Sequence, residues 1–232
     1  MIIAANLKTN LTRAGTASYI KKVDECAKNS KSKVLVFPTS TALDSFKTTL
    51  VVGAQNAYPT KNGAFTGEIG LEQLGEFGIK TILIGHSERR HVLGESQEFI
   101  AKKFNYFKEL GFKIVYCVGE PLQKREAGED EMMQYIYSQY EGIDTEYENL
   151  IIAYEPVWAI GTGLTPTNED ILNIHKALKT KSSAPLLYGG SVKVNNAKEI
   201  SSLKNVDGVL VGSAALNADD FCKMIEFSQQ ID

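Results

Sequence analysis

The sequence predicts an α/β fold in which a strand and a helix alternate eight times within one domain, residues 1–232. Short runs rich in Ile, Val and Leu recur through the chain. Small or polar turn residues follow each run, and a segment with helical spacing of apolar residues usually comes next. Several runs are apolar at consecutive positions, which is typical of parallel strands buried on both faces.

The eight runs are the candidate strands, and the segments between them supply the candidate helices. Strands are predicted at residues 2–6, 33–37, 50–54, 80–84, 112–118, 149–154, 185–188 and 208–211. Three helices carry apolar stripes that we interpret as core packing: Tyr19, Val23 and Cys26; Ile100, Phe104 and Phe107; Ile171, Ile174 and Leu178. Thr167, followed by Asp170, predicts an N-cap for the helix after the sixth strand.

The composition indicates a folded protein without nucleic acid or a membrane as partner. The chain has 25 Lys and Arg against 28 Asp and Glu, a net charge of −3, and no basic block. No segment resembles a signal peptide or is apolar for long enough to cross a bilayer. Cys26, Cys117 and Cys222 have no metal-ligand spacing, and we interpret them as buried hydrophobic residues in a reducing compartment. A cytoplasmic protein is therefore expected.

Polar chemistry is concentrated directly after five of the strands. The segments are Asn-Leu-Lys from Asn6, Gly-His-Ser-Glu-Arg-Arg from Gly85, Ala-Tyr-Glu-Pro-Val-Trp-Ala-Ile-Gly-Thr-Gly from Ala153, Tyr-Gly-Gly-Ser from Tyr188 and Val-Gly-Ser from Val211. Eight alternating units can close into a barrel or spread into a doubly wound sheet, and periodicity alone does not decide. In a (β/α)8 barrel these strand ends would share one mouth, where active sites are built.

The order and separation of these segments resemble the triosephosphate isomerase family along essentially the whole chain, as does Gly-Ala-Phe-Thr-Gly-Glu from Gly63 to Glu68. The resemblance implies a single-domain (β/α)8 TIM barrel. It also implies an enzyme of glycolysis and gluconeogenesis that interconverts dihydroxyacetone phosphate and D-glyceraldehyde 3-phosphate through an enediolate. Proton transfer between neighbouring carbons needs a base and a proton donor, and no metal or organic cofactor.

Glu155 is the expected base, and His86 is the expected electrophile. Glu155 follows the apolar run 150–153 and precedes Pro156, so it should lie at a strand end and lose hydration under a lid. His86 precedes a short helix, whose positive N-terminus is expected to lower the pKa of the imidazole. A neutral imidazole can donate to the enediolate oxygen. His91 and His175 lie outside this constellation and are interpreted as structural.

Lys8 and Asn6 are expected to bind the substrate together at the end of the first strand. The Lys8 ammonium can neutralise a dianionic substrate and the enediolate. The phosphate is expected at small residues whose N–H groups can approach an anion closely. By resemblance, these are Gly161 in the lid, Ser191 after the seventh strand, and Gly212 and Ser213 after the eighth.

Residues 156–166 resemble the flexible lid of the family, with Trp158 in the first hinge and Glu120 and Arg125 as its supports. Lid closure excludes water and slows the loss of phosphate that gives methylglyoxal. The second hinge departs from the family pattern of Lys followed by two small residues. In the family, the tyrosine that corresponds to Tyr188 accepts a hydrogen bond from the last hinge residue. That residue corresponds to Pro166, which has no N–H.

The loop from Gly63 to Glu68 resembles the one that packs beside the first-strand residues of a partner subunit, so a homodimer is expected. Thr66 is expected to help position Asn6 and Lys8 across the interface. Two other functions fit parts of the sequence. One is a different phosphate-binding barrel, such as an aldolase or a sugar-phosphate or amino-acid-biosynthesis isomerase, because the segments after the seventh and eighth strands alone fit many of these. A Schiff-base aldolase would need a lysine inside the barrel near a strand end, and the later strands have none. A non-catalytic barrel would be indicated by loss of Glu155 or His86, and both are present.

Overall fold

Eight parallel strands form a nearly closed barrel in the computed structural model, which describes residues 1–160 and 164–228. The strands are β1 (Ile2–Asn6), β2 (Lys33–Phe37), β3 (Val51–Val52), β4 (Thr81–Ile84), β5 (Lys113–Val118), β6 (Leu150–Tyr154), β7 (Leu186–Tyr188) and β8 (Gly208–Val211). Their order in the sheet is β3-β2-β1-β8-β7-β6-β5-β4. A single bridge between Ala54 and Ile82 joins the two ends of this sheet, so the barrel of the prediction is confirmed.

The α-helices lie in the connections between the strands, except for the last helix, which follows β8. They are α1 (Arg13–Ala27), α2 (Leu71–Glu76), α3 (Ser87–His91), α4 (Gln97–Glu109), α5 (Leu122–Glu126), α6 (Glu129–Ser138), α7 (Asn168–Lys179), α8 (Ala197–Ser201) and α9 (Ala218–Ser228). Short 3-10 helices occur at Ser40–Ala42, Val157–Ala159 and Ser213–Leu216. The predicted cap of α7 is confirmed, because Thr167 and Asp170 form a reciprocal capping box. No helix in the described ranges has the length and apolar character needed to cross a bilayer.

The hydrophobic core has two layers, as expected for a barrel whose interior is filled by side chains. The inner layer consists of apolar residues that alternate along the strands: Ala4, Leu35, Phe37, Leu83, Val115, Cys117, Ile151, Ala153, Leu187 and Leu210. The outer layer packs the other face of each strand against the helices. The predicted helix stripes contribute Tyr19, Ile100 and Ile171 to this outer layer, which confirms them as core.

The strand predictions match to within one residue at each end except for β3. Residues 50–54 were predicted, and only Val51 and Val52 form a ladder, with β2. Gly53 ends this strand beside Phe37, where a Cβ atom would lie 2.5 Å from the Phe37 ring. The inward-facing Phe37 ring therefore occupies the space that a side chain at position 53 would need if β3 continued.

The interpretation of the three cysteines is wrong for two of them. Cys26 on α1 and Cys222 on α9 form a disulfide across 196 residues of sequence. Sequence spacing could not reveal this pair, because it depends on the barrel bringing the first and last helices together. Cys117 on β5 is free and fully buried, as predicted.

Candidate active site

A cavity of about 350 Å³ opens at the carboxyl ends of the strands. It brings together every predicted site residue in the described ranges: Asn6, Lys8, His86, Glu155, Ser191, Gly212 and Ser213. Gly161, the remaining predicted residue, lies outside the described residues. The volume is at the small end of ligand pockets, which suits a small metabolite.

Glu155 follows β6 directly and is almost completely buried, with 2% of its surface exposed. One carboxylate oxygen, Oε2, accepts the backbone N–H of Ser87 at 3.0 Å, and the other lies 3.0 Å from His86 Nε2. Burial alone would raise the pKa of Glu155, but His86 and the Ser87 N–H outweigh it and lower that pKa. The buried carboxylate is therefore charged and able to accept a proton.

Small residues make room for this carboxylate. A Cβ at Gly189 would lie 2.9 Å from Glu155 Cγ, and a Cβ at Gly119 would lie 1.8 Å from the Glu155 carbonyl oxygen. Neither position can hold a side chain without displacing the base.

His86 is the N-cap of α3, as the sequence predicted, but the direction of its pKa shift was predicted wrongly. Its Nδ1 accepts the backbone N–H of Glu88 at 3.3 Å, which places the ring proton on Nε2, facing Glu155. Burial alone would lower the pKa of His86. The charge and hydrogen bond of Glu155 outweigh burial, so the pKa is raised.

Lys8 has a left-handed backbone conformation, with a φ of 51°, which is uncommon outside glycine. Its N–H donates to Asn6 Oδ1 at 3.0 Å, and its carbonyl accepts from Gln55 Nε2 at 2.8 Å. The Lys8 ammonium lies 2.6 Å from Glu88 Oε1. A Cβ at Gly212 would lie 3.7 Å from Lys8 Nζ, so the ammonium is beside the predicted phosphate loop.

Three residues of the site were missed by sequence reasoning. Glu88 pairs with Lys8 and lies 3.7 Å from His86 Nδ1. Gln55 fixes the Lys8 carbonyl, and Lys193 adds a second cation to the cavity wall. Glu88 follows His86 by two residues and could have been noticed in that segment. Gln55 and Lys193 follow strands without any signal that singles them out.

The arrangement suits proton abstraction next to a carbonyl group. A charged carboxylate, an imidazole N–H and an ammonium surround one small polar cavity, so a base and oxygen-stabilising donors can reach a single small molecule. In the described part of the chain, no cluster of three or more His, Cys, Asp or Glu side chains has metal-binding geometry.

Comparison with known proteins agrees with this geometry. The family model described as triosephosphate isomerase matches residues 1–228. The chain belongs to the triosephosphate isomerase family. A curated triosephosphate isomerase from Sulfurimonas denitrificans is 68% identical, with 100% of this chain and 98% of the relative covered.

Further curated triosephosphate isomerases extend the match. The one from Sulfurovum sp. is 59% identical over 97% of this chain and 99% of its own length. The one from Nitratiruptor sp. is 52% identical over the whole of both chains. Triosephosphate isomerases interconvert triose phosphates, so this chain is an isomerase of that kind.

Proposed function

We propose that this chain interconverts dihydroxyacetone phosphate and D-glyceraldehyde 3-phosphate with Glu155 as the base and His86 as the electrophile. The observation that carries the proposal is the 3.0 Å contact between Glu155 Oε1 and His86 Nε2 inside one buried cavity. A three-carbon substrate that separates these two groups would touch both.

The roles follow from the contacts of each group. The phosphate binds at Ser191, Gly212 and Ser213, and by resemblance at Gly161, with Lys8 nearby as the compensating charge. Glu155 removes a proton from one carbon and returns it to the next. His86 Nε2 and the Lys8 ammonium stabilise the negative oxygen of the enediolate. Asn6 fixes the backbone of Lys8, because Asn6 Oδ1 accepts the Lys8 N–H.

Substrate binding changes the charge balance of the pair. While the Glu155 carboxylate contacts His86, it raises the pKa of His86. When the carboxylate turns to the substrate carbon, that effect weakens and burial again favours the neutral imidazole. His86 then acts as a neutral donor, the state that the helix N-terminus was expected to favour.

We also propose a homodimer formed through the loop from Gly63 to Glu68, with Thr66 near the partner's site. This loop is exposed throughout, and Phe65, which stacks on Tyr58 at 4.2 Å, is 40% exposed. Val92 and Leu93, after α3, are 77% and 63% exposed. An open cavity of about 280 Å³ beside Lys8 and Thr9 could receive such a loop from a second copy.

Residues 1–232 act as one domain, and the enzyme works in the cytoplasm, where glycolytic enzymes meet their substrates. The Cys26–Cys222 disulfide counts against this location, since such bonds are rare in a reducing compartment such as the cytoplasm. The cytoplasm is therefore proposed on the glycolytic reaction alone. The net charge of −3 and the lack of a basic block argue against nucleic acid as a partner. A membrane is not proposed as a partner either.

The experiment is a coupled isomerase assay with D-glyceraldehyde 3-phosphate that compares the wild type with Glu155→Gln. Loss of the base should lower kcat by about 10²- to 10⁴-fold. Glu148→Gln is the matched control, since Glu148 is exposed before the other end of β6. A loss below tenfold in Glu155→Gln, or an equal loss in the control, would show that the base is wrongly assigned.

A further inference from the structure

Arg90, on α3, bonds to the peptide groups on both sides of His86. Its backbone N–H donates to the His86 carbonyl at 3.1 Å, and its side-chain Nε donates to the Gly85 carbonyl at 2.7 Å. Gly85 has a φ of 76°, and a Cβ atom there would lie 2.7 Å from Arg90 Nη2. The backbone that leads into His86 is therefore shaped around the Arg90 guanidinium.

The same guanidinium also bonds to β5. Its Nη2 donates to the Cys117 carbonyl at 3.1 Å and to the Tyr116 hydroxyl at 2.9 Å. The ladder between β4 and β5 ends at the pair Ile84 and Tyr116, so Gly85 and Cys117 are the next residues along the two strands. The guanidinium thus continues the link between β4 and β5 just beyond their last backbone pair.

The end of β5 in turn holds the backbone of the base. The Glu155 N–H donates to the Val118 carbonyl at 2.8 Å. Gly119 lies against the Glu155 backbone, and the side-chain amide of Gln139 accepts the Gly119 N–H at 2.9 Å and donates to the Gly119 carbonyl at 2.8 Å. A chain of bonded backbone groups therefore runs from the Arg90 guanidinium along β5 to the base.

The shape of the Arg90 guanidinium, more than its charge, explains these contacts. Its remaining nitrogen, Nη1, donates to Gln97 Oε1 at 2.8 Å, and among residues 1–160 and 164–228 it forms no ion pair. The acceptors named above are all uncharged. A guanidinium presents its donors in a rigid plane, whereas a lysine ammonium is a point charge on a flexible stem. The planar group therefore fixes the spacing of β4 and β5 where the two strands enter the site.

We propose that Arg90 is a positioning residue that fixes His86 relative to Glu155 by tying the end of β4 to the end of β5. For its effect on catalysis, this inference rests on the proposed function. In the sheet, β5 lies between β4 and β6, so the 3.0 Å contact between His86 Nε2 and Glu155 Oε1 depends on how β5 is linked to each neighbour. The Glu155 N–H supplies the link on the β6 side, and Arg90 supplies it on the β4 side.

The test is Arg90→Lys, which keeps the positive charge and loses the planar set of donors. We expect kcat to fall by about 10- to 100-fold, because a displacement of about 1 Å in a reacting group costs up to about 10²-fold. KM should change little, since the residues that the guanidinium contacts are not those of the phosphate site. The coupled isomerase assay measures both constants.

The pKa of His86 reports the same geometry without catalysis. Burial lowers this pKa, but the charge and hydrogen bond of Glu155 outweigh burial, with a smaller raising effect from Glu88 and a lowering one from Lys8. If His86 and Glu155 move apart, the effect of Glu155 weakens and the pKa of His86 should fall in Arg90→Lys. An NMR titration of the histidine ring protons measures it, with His86→Gln to assign the signal.

Arg13→Lys is the matched control, since the Arg13 guanidinium also makes two bonds, from Nε at 3.2 Å and Nη2 at 2.6 Å to Asp44 Oδ2, but is exposed on α1. It should leave kcat and the pKa of His86 unchanged. Tyr116→Phe, which removes one acceptor of Arg90, should move both readouts in the same direction as Arg90→Lys by a smaller amount.

Unchanged kcat and pKa in folded Arg90→Lys, or equal changes in Arg13→Lys, would overturn the positioning role. If Arg90→Lys does not fold, unchanged readouts in Tyr116→Phe would overturn it instead. Full activity in Glu155→Gln would refute the proposed function, and the His86 titration would still test the positioning.

Discussion

At the scale of single residues, Tyr188 shows how the residue at a distant hinge position affects the hydrogen bonding of a buried side chain. The Tyr188 side chain is fully buried, and among residues 1–160 and 164–228 its hydroxyl has no hydrogen-bond partner. Pro166 occupies the position whose N–H would serve it in the family. The hydroxyl therefore has no bond of this kind to lose.

Tyr188→Phe should cost less activity here than in relatives that have Ala at the position of Pro166. We expect kcat/KM within about twofold of the wild type, because a bond worth ~0.5–1.5 kcal/mol is already absent. A double-mutant cycle in this chain tests the same point. Pro166→Ala supplies the N–H, so in that background Tyr188→Phe should lower kcat/KM more than it does in the wild type. Equal losses in both backgrounds would refute the explanation.

His175 is a buried histidine with a structural role, as the sequence predicted. Its Nδ1 lies 2.8 Å from the Asn205 carbonyl, and its ring lies 5.9 Å from that of Tyr154. Burial lowers the pKa of His175 to about 4. The unfolded chain, with an ordinary histidine pKa near 6.5, takes up a proton before the folded protein does.

The stability of the folded protein should therefore fall as pH falls from about 6.5 to about 4. His175 alone should contribute a loss of about 2 kcal/mol between pH 7 and pH 5. Urea unfolding of the wild type and His175→Phe at both pH values measures it. The variant should lose less stability than the wild type over this range, whatever its stability at pH 7; parallel losses would contradict the assignment.

The site residues were predictable from the sequence because each of them lies in a polar segment directly after a predicted strand. Glu155 and His86 met in space as expected. The direction of the His86 pKa was missed, because it depends on the 3.0 Å distance to Glu155 across two strands. Lys193 was missed because its position after Ser191 carries no pattern beyond a single charge.

At the scale of secondary-structure elements, β2 and β5 both begin with a lysine at an inward position. Leu35 and Val115, two residues further along, belong to the inner core, so the Lys33 and Lys113 side chains face the same interior. The Lys33 amine, together with partial burial, lowers the pKa of Lys113 to about 8. Two like charges therefore meet at the amino-terminal mouth of the barrel.

Lys113→Met should stabilise the protein at pH 7. The unfolded chain binds the Lys113 proton more tightly than the folded one, so this repulsion is fully present below pH 8 and fades as pH rises towards 10.5. Allowing for solvent screening, we expect a gain of roughly 1 kcal/mol in the free energy of unfolding. Urea titrations at pH 7 and pH 10 measure the gain and its decline.

Lys31→Met is the control, since Lys31 is exposed just before the same strand as Lys33. It should change stability little at either pH. If Lys113→Met were no more stable than Lys31→Met, the repulsion between Lys33 and Lys113 would not affect the free energy of unfolding.

Most element boundaries were predictable, because apolar runs and turn residues mark both ends of a strand. β3 was not, because its length is limited by Phe37 from a neighbouring strand rather than by its own residues. The disulfide between α1 and α9 was also beyond prediction, since it depends on packing between the two ends of the chain.

At the scale of the whole molecule, periodicity left a barrel and an open sheet as alternatives, and the resemblance of the strand-end segments to a barrel family decided between them. Polar segments that follow β1, β4, β6, β7 and β8 can share one cavity only if the sheet curves round. The Ala54–Ile82 bridge provides that closure.

The proposed dimer predicts a molecular mass of twice 25.5 kDa by light scattering at assay concentrations. Phe65→Asp should dissociate it and lower kcat/KM, because a charge would enter the apolar contact and Lys8 would lose its neighbouring loop. Leu110→Asp is the control, since Leu110 is 37% exposed, close to the 40% of Phe65. A fully active wild-type monomer would refute the proposal.

The bridge between Ala54 and Ile82 has a dynamic consequence. Among residues 1–160 and 164–228, only two backbone hydrogen bonds cross this boundary: the Ala54 N–H donates to the Thr81 carbonyl, and the Leu83 N–H donates to the Ala54 carbonyl. By contrast, β5 and β6 pair over five residues. Local opening fluctuations should begin where fewest bonds must break. Since the chain between β3 and β4 includes the exposed loop from Gly63 to Glu68, a protein bound to that loop would suppress amide hydrogen exchange along this boundary. Dimer formation would then make the barrel more rigid, in addition to placing a loop of the second copy beside the cavity.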